Sequence, residues 1–202
     1  MSEPLLRAVR VGRRFGDVVA LEPTDVELVP GETVALVRAN GAGKSTLLAI
    51  LAGALEPSEG KVETHARIGW VPQRPAQYAR LTARENLELF AALEGVAPGD
   101  LLARFEIPAD RPAGELSVGN RQRLNIALSL LGEPRLLLLD EPTASLDPVQ
   151  RKRVWDVVTA TRGDGGAVCF ATQNVEEVDH ADRVLALQDG RIVGSTVEEV
   201  FG

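Results

Sequence analysis

The run ALVRANGAGKST brings together residue types that suit a phosphate group: Asn40, Gly41, Ala42, Gly43, Lys44, Ser45 and Thr46. Glycines let successive backbone N–H groups wrap an anion, and the start of a helix favours negative charge. The Lys44 ammonium can reach a β- or γ-phosphate, and the Ser45 hydroxyl can ligate Mg²⁺. The setting matches that chemistry, with the apolar run TVALV (33–37) before the loop and a helical pattern carrying Leu47, Leu48 and Leu51 after it. A glycine-rich turn with an incidental lysine is the alternative, and the strand-to-helix context weighs against it.

A second constellation ends the run LLLLDEPTASLD, where an apolar strand finishes in two carboxylates. Asp140 suits Mg²⁺, held directly or through water, and Glu141 suits orienting or deprotonating an attacking water. Alone, such a pair is often only a solvated strand end. Beside a phosphate-binding loop it predicts nucleotide chemistry that uses ATP and Mg²⁺.

These groups need elements to position them. Short buried-strand candidates at 33–37, 136–140, 167–171 and 183–187 alternate with helical patterns, which predicts a largely parallel α/β sheet. Shorter apolar alternation over 5–11 and 24–29 predicts half-exposed antiparallel strands in a small side sheet. A helix is expected from Lys44 to Ala52, stopping at Gly53. Between residues 82 and 131, TARENLELFAALEG and NRQRLNIALSLLG carry helical periodicity with no convincing strand between them. Asp147 and Pro148 supply an N-cap and a first-turn proline for a later helix, on which Trp155 reads as core. The expected fold class is α/β: a P-loop NTPase core with a mainly parallel central sheet, a small antiparallel β side sheet and a helical subdomain. One domain is expected over 1–202, with the helical subdomain and the helix that follows it at about 74–131.

Composition sets bounds on function. With 45% hydrophobic and 25% charged residues, the 202-residue chain is expected to fold around one substantial core. No apolar run approaches the roughly 20 residues of a spanning helix. The N-terminus lacks the pattern of a secretory signal, so the cytoplasm is the expected location, with any membrane role supplied by a partner. The lone Cys169, inside AVCFA, reads as a packed small hydrophobe. A net charge of -7 argues against a broad nucleic-acid-binding face, so no nucleic acid is expected as a partner. The Arg10, Arg13 and Arg14 cluster reads as solvated surface.

The motifs RANGAGKST, VPQ, LSVGNRQR, LLLLDEPTASLD and DRVLALQDGRIV stand in the order and spacing of ABC-type nucleotide-binding domains, and on them the chain resembles that family over essentially its whole length. The resemblance implies that Phe15 stacks on adenine and that Gln73 couples the Mg²⁺ and water site to a membrane partner. It implies that Asp147 belongs to a loop touching a second ATPase subunit, whose γ-phosphate Ser117 and Gly119 contact. Other readings stay open for three of these residues. Phe15 also reads as a core aromatic, Gln73 as an exposed loop residue, and Ser117 as a helix N-cap, a role compatible with anion contact.

The chain departs from the family pattern at three positions. Arg38 replaces the first P-loop glycine, Val118 stands in the signature motif where close backbone approach is expected, and Gln173 replaces the histidine that senses the γ-phosphate. Glutamine donates a hydrogen bond but carries no charge. Only eight residues separate Gly60 from Gly69, which predicts a trimmed side sheet. The expected function is the ATP-binding and hydrolysing subunit of a transporter, working as a dimer on membrane-spanning subunits, with slow turnover. A nucleotide-gated subunit with little hydrolysis, or a soluble non-transport ABC ATPase, is the alternative.

Overall fold

The computed structural model describes residues 3–38, 41–144 and 146–194. Asn40 lies outside the described residues, as does the tail beyond Gly194.

The first two strands, β1 (Leu6–Phe15) and β2 (Val18–Leu28), form an antiparallel hairpin and run longer than their apolar alternation predicts. Strand β3 (Thr33–Val37), buried at all five positions, leads through the glycine-rich loop into α1 (Lys44–Leu51). Two strands that the sequence pattern did not suggest follow, β4 (Glu59–Thr64) and β5 (Ile68–Val71). Strand β4 reads EGKVET and is exposed except at Val62, so its pairing with β1 holds it rather than an apolar face. It completes the three-stranded side sheet, in the order β2-β1-β4.

Three helices come next: α2 (Ala83–Glu94), the short α3 (Leu101–Arg104) and α4 (Val118–Ser129). A reciprocal capping box of Thr82 and Glu85 fixes the start of α2. The chain then alternates through β6 (Leu136–Asp140), α5 (Pro148–Gly163), β7 (Ala167–Ala171) and β8 (Arg183–Gln188), and a tight turn joins β8 to β9 (Arg191–Gly194). The Asp147 side chain caps α5 by accepting from the backbone N–H of Gln150 at 2.9 Å.

The central sheet has the order β5-β6-β7-β3-β8-β9, with every neighbouring pair parallel except β8 and β9. Because β6, β7 and β3 are adjacent and parallel, the loops leaving their C-terminal ends emerge side by side. Ligand sites in open α/β sheets form at such edges.

Each central strand sends alternate residues to opposite layers. Val37, Leu137, Phe170 and Val184 face one core with α4 and α5, while Leu36, Leu138, Cys169 and Leu185 face the other with α1 and the side sheet. Burial pushes the Cys169 thiol up to about 12, so it is inert at neutral pH. Trp155 packs edge-on against Phe170, with ring centroids 5.0 Å apart at 69°, and stacks on His180 at 4.1 Å. Phe170→Ala, which empties a fully buried site, is expected to cost about 3–5 kcal/mol in denaturant unfolding. Among the described residues no helix is long and apolar enough to cross a membrane.

Candidate functional site

The loop after β3 turns through left-handed backbone at Arg38 (φ 108°), Gly41 (φ 80°) and Gly43 (φ 102°). At Gly43 an added Cβ would lie 2.8 Å from the carbonyl oxygen of Ala20, so both the dihedral and the space demand glycine. Arg38 meets the same dihedral demand with a side chain, in a conformation that costs an L-residue energy. Its carbonyl oxygen accepts a 2.6 Å hydrogen bond from Lys44 Nζ.

Lys44 is buried, and desolvation lowers its pKa while Glu141 and Asp140 act in the opposite direction. Gly41, Gly43, Lys44, Ser45, Gln73 and Glu141 are among the residues that line a cleft of about 350 Å³, with Ala20 of β2 on its wall. Ala20 had no sequence signal. It reaches the cleft only because the side sheet folds over the loop.

At the end of β6, burial raises the Asp140 pKa, offset by a hydrogen bond from the Ser45 side chain and by the nearby Lys44 charge. Asp140 Oδ1 is buried without a hydrogen-bond partner. A buried oxygen lacking a donor is costly, and a divalent cation beside it would stabilise the ionised carboxyl. The residues therefore fit Mg²⁺, a hard ion that is commonly held by one or two carboxylates together with water and substrate phosphate. No group of three or more His, Cys, Asp or Glu side chains is assembled for a metal among the described residues.

Glu141 follows in left-handed backbone (φ 50°), and its N–H donates to the Ala171 carbonyl at 3.0 Å. The Gln173 side chain donates from Nε2 to Glu141 Oε1 at 2.5 Å. Gln173 also lines a smaller cavity of about 240 Å³ together with Arg38. Arg38 and Gln173 thus line one cavity although they lie far apart in the sequence.

Of the other predicted residues, Gln73 belongs to the cleft, whereas Phe15, Ser117 and Gly119 do not line it. Phe15 is 49% exposed, with the Arg13 guanidinium 4.6 Å from its ring centroid, which rules out the core reading. Gln73 is exposed on the cleft wall. Ser117 caps α4 by accepting from the Asn120 N–H at 3.2 Å, and Val118 in the next position is exposed. Neither Ser117 nor Gly119 lines the cleft, so any phosphate they touch belongs elsewhere. A buried trio that sequence reasoning missed lies behind the site: both carboxyl oxygens of Glu177 accept hydrogen bonds, one from Thr143 and one from Thr172. Glu177 sits in the polar run QNVEEVDH, where nothing distinguishes it from a surface glutamate.

A glycine-rich loop between a central parallel strand and a helix, beside an Asp-Glu strand end, defines a P-loop nucleotide-binding fold. Residues 21–144 match the sequence model of the family described as ABC transporter. The chain is 36% identical over 224 residues to the daunorubicin resistance ATP-binding protein DrrA3 of Streptomyces coeruleorubidus, covering 99% of this chain and 71% of that one. It is 35% identical to the probable multidrug ABC transporter ATP-binding protein YbhF of Escherichia coli (strain K12), with 96% of this chain and 37% of YbhF covered. The dimeric, post-hydrolysis structure of the ATP-binding cassette MJ0796 bound to ADP and Pi superposes with a TM-score of 0.86 at 25% identity, covering 95% of this chain and 97% of that one. The chain belongs to the ABC transporter family and has the fold of its ATP-binding cassettes.

Proposed function

We propose that this chain is the ATP-hydrolysing subunit of a transporter, driving passage of a substrate through separate membrane-spanning subunits. The reading rests on one observation above others: Lys44, Ser45, Asp140, Glu141 and Gln173 converge at the ends of the adjacent strands β3, β6 and β7. In this reading the backbone around Asn40 to Thr46 and the Lys44 ammonium hold the phosphates, and Phe15 offers its exposed ring to adenine. Ser45 and Asp140, with Gln73 at the cleft wall, hold Mg²⁺, which when bound neutralises charge on the phosphates. Glu141 takes a proton from the attacking water, and Gln173 fixes the Glu141 carboxyl by the hydrogen bond already in place.

Two ATPase subunits, identical or paralogous, pair so that Ser117 and Gly119 of each face the γ-phosphate held by the other. Closure is then stabilised by that phosphate and lost with it. The helical stretch at 74–131 receives the membrane subunits on the cytoplasmic face. ATP-dependent uptake or release by vesicles containing the co-purified complex tests this reading; transport undiminished by Glu141→Gln would refute it.

Turnover is slow in this proposal. Arg38 occupies a conformation suited to glycine, Val118 places a branched side chain at the signature turn, and uncharged Gln173 replaces an imidazole. The triple variant Arg38→Gly, Val118→Gly, Gln173→His is expected to raise kcat by about tenfold, equivalent to ~1.4 kcal/mol in the barrier. Equal rates in the full complex would sink the idea. The same features favour a second reading, a nucleotide-gated subunit with little hydrolysis. Single-turnover measurement of ATP cleavage separates the two, because only a hydrolytic subunit loses cleavage when Glu141 becomes Gln.

A further inference from the structure

Glu177 is 6% exposed and makes no salt bridge among the described residues. Its Oε1 accepts from Thr143 Oγ1, and its Oε2 accepts from Thr172 Oγ1 at 2.6 Å. Both threonines are buried, and each lies within two positions of a residue of the proposed hydrolytic site. Thr143 lies two positions after Glu141, and Thr172 immediately precedes Gln173. Thr172 Oγ1 also accepts from the Asn174 N–H at 3.0 Å, so the carboxyl is tied to the backbone that carries Gln173.

A buried carboxyl is an expensive way to fill space, and an apolar side chain of similar size would stabilise the fold at less cost. The group's worth therefore lies in what its two hydrogen bonds join. They tie the chain leaving β6 to the chain leaving β7 from behind, while the Gln173–Glu141 bond links the same two segments in front. Glu141 holds left-handed backbone, which persists only where its surroundings determine it.

We propose that Glu177 is a positioning residue for hydrolysis: by clamping Thr143 to Thr172 it sets the separation of Glu141 and Gln173 in the reacting geometry. This rests on the proposed hydrolytic role of Glu141. Misplacing a reacting group by about 1 Å costs on the order of 100-fold in rate. The clamp acts on the proton-transfer geometry and leaves the phosphate loop alone, so its loss should appear in kcat and not in KM.

The test measures steady-state ATP hydrolysis by the full chain with its membrane subunits, comparing wild type, Glu177→Ala, Glu177→Gln, Thr172→Val and Glu141→Gln. Glu177→Ala is expected to lower kcat by about 10- to 100-fold with KM for ATP within about twofold. Glu177→Gln is expected to retain kcat within about threefold, since its amide can accept from one threonine and donate to the other after a hydroxyl rotation. Thr172→Val keeps the shape, removes one bond and is expected to lower kcat by about tenfold; it carries the test if Glu177→Ala does not fold. A wild-type kcat in Thr172→Val or in folded Glu177→Ala would overturn the proposal. So would a rise in KM that accounts for the whole loss, or a Glu177→Gln variant as slow as the alanine. Glu141→Gln separates the two ideas: if it hydrolyses ATP normally, the underlying reading of Glu141 fails, whereas if it is inactive while Glu177→Ala is unimpaired, only the clamp fails.

Discussion

Glu141→Gln is expected to lower kcat for ATP hydrolysis by about 10³-fold while leaving ATP affinity within about twofold, because a positioned general base contributes typically 10²–10⁴ in rate. The substitution is close to isosteric. Gln173 Nε2 donates to Glu141 Oε1, and the amide oxygen of the variant can accept that same bond, so the loop keeps its shape. The Glu141 N–H to Ala171 bond is unaffected by the side chain. Only the capacity to take a proton is lost. Steady-state hydrolysis together with equilibrium titration of ATP checks this. Retained turnover would remove Glu141 from the chemistry, and a large loss of affinity would move it into nucleotide binding.

Lys44→Met is expected to weaken ATP binding by about 100-fold, the scale set by losing a charge-assisted hydrogen bond of roughly 1.5–3 kcal/mol to a phosphate. Its effect on the nucleotide-free protein should be small. Desolvation lowers the Lys44 pKa, so folding disfavours its protonated form: it contributes stability that is present above the ordinary lysine pKa and is lost as pH falls through the lowered one. At neutral pH the charged ammonium carries a desolvation cost in the apo fold, and Met removes that cost together with the hydrogen bond to the Arg38 carbonyl and the attraction to Asp140 and Glu141. The two effects oppose each other, so the apo variant should melt close to the wild-type temperature, while the upward shift that bound nucleotide confers is largely lost. For the wild type, ATP affinity should decline with rising pH earlier than an ordinary lysine would predict. Thermal unfolding with and without ATP distinguishes these effects. A variant that binds ATP normally would exclude Lys44 as a phosphate ligand.

Much of the fold could be read along the chain. The apolar runs at 33–37, 136–140 and 167–171 coincide with β3, β6 and β7, since strands buried on both faces show as unbroken hydrophobic runs. Helix starts were legible at Ser117 and Asp147, where a short polar side chain accepts from a backbone N–H three positions on. Strand β4 was illegible because an exposed strand held by backbone pairing carries no apolar alternation. The Phe15 ring gave no sign of whether it faced the core or solvent, because an isolated aromatic between polar neighbours suits either.

By itself the sequence determined the chemistry that can occur in each segment: a glycine-rich turn ahead of Lys44 and Ser45, an Asp-Glu strand end, and the side chains present at Arg38, Val118 and Gln173. These are properties of residue type and local backbone, and neighbours along the chain suffice to define them. Only the tertiary structure decided which segments meet. The strand order β5-β6-β7-β3-β8-β9 sets Glu141 against Gln173, puts Arg38 and Gln173 on one cavity, and brings Thr143 to Glu177 across 34 positions. That order follows from burying both faces of one sheet under helices joined by crossovers. It depends on packing between distant segments, and no single segment records it.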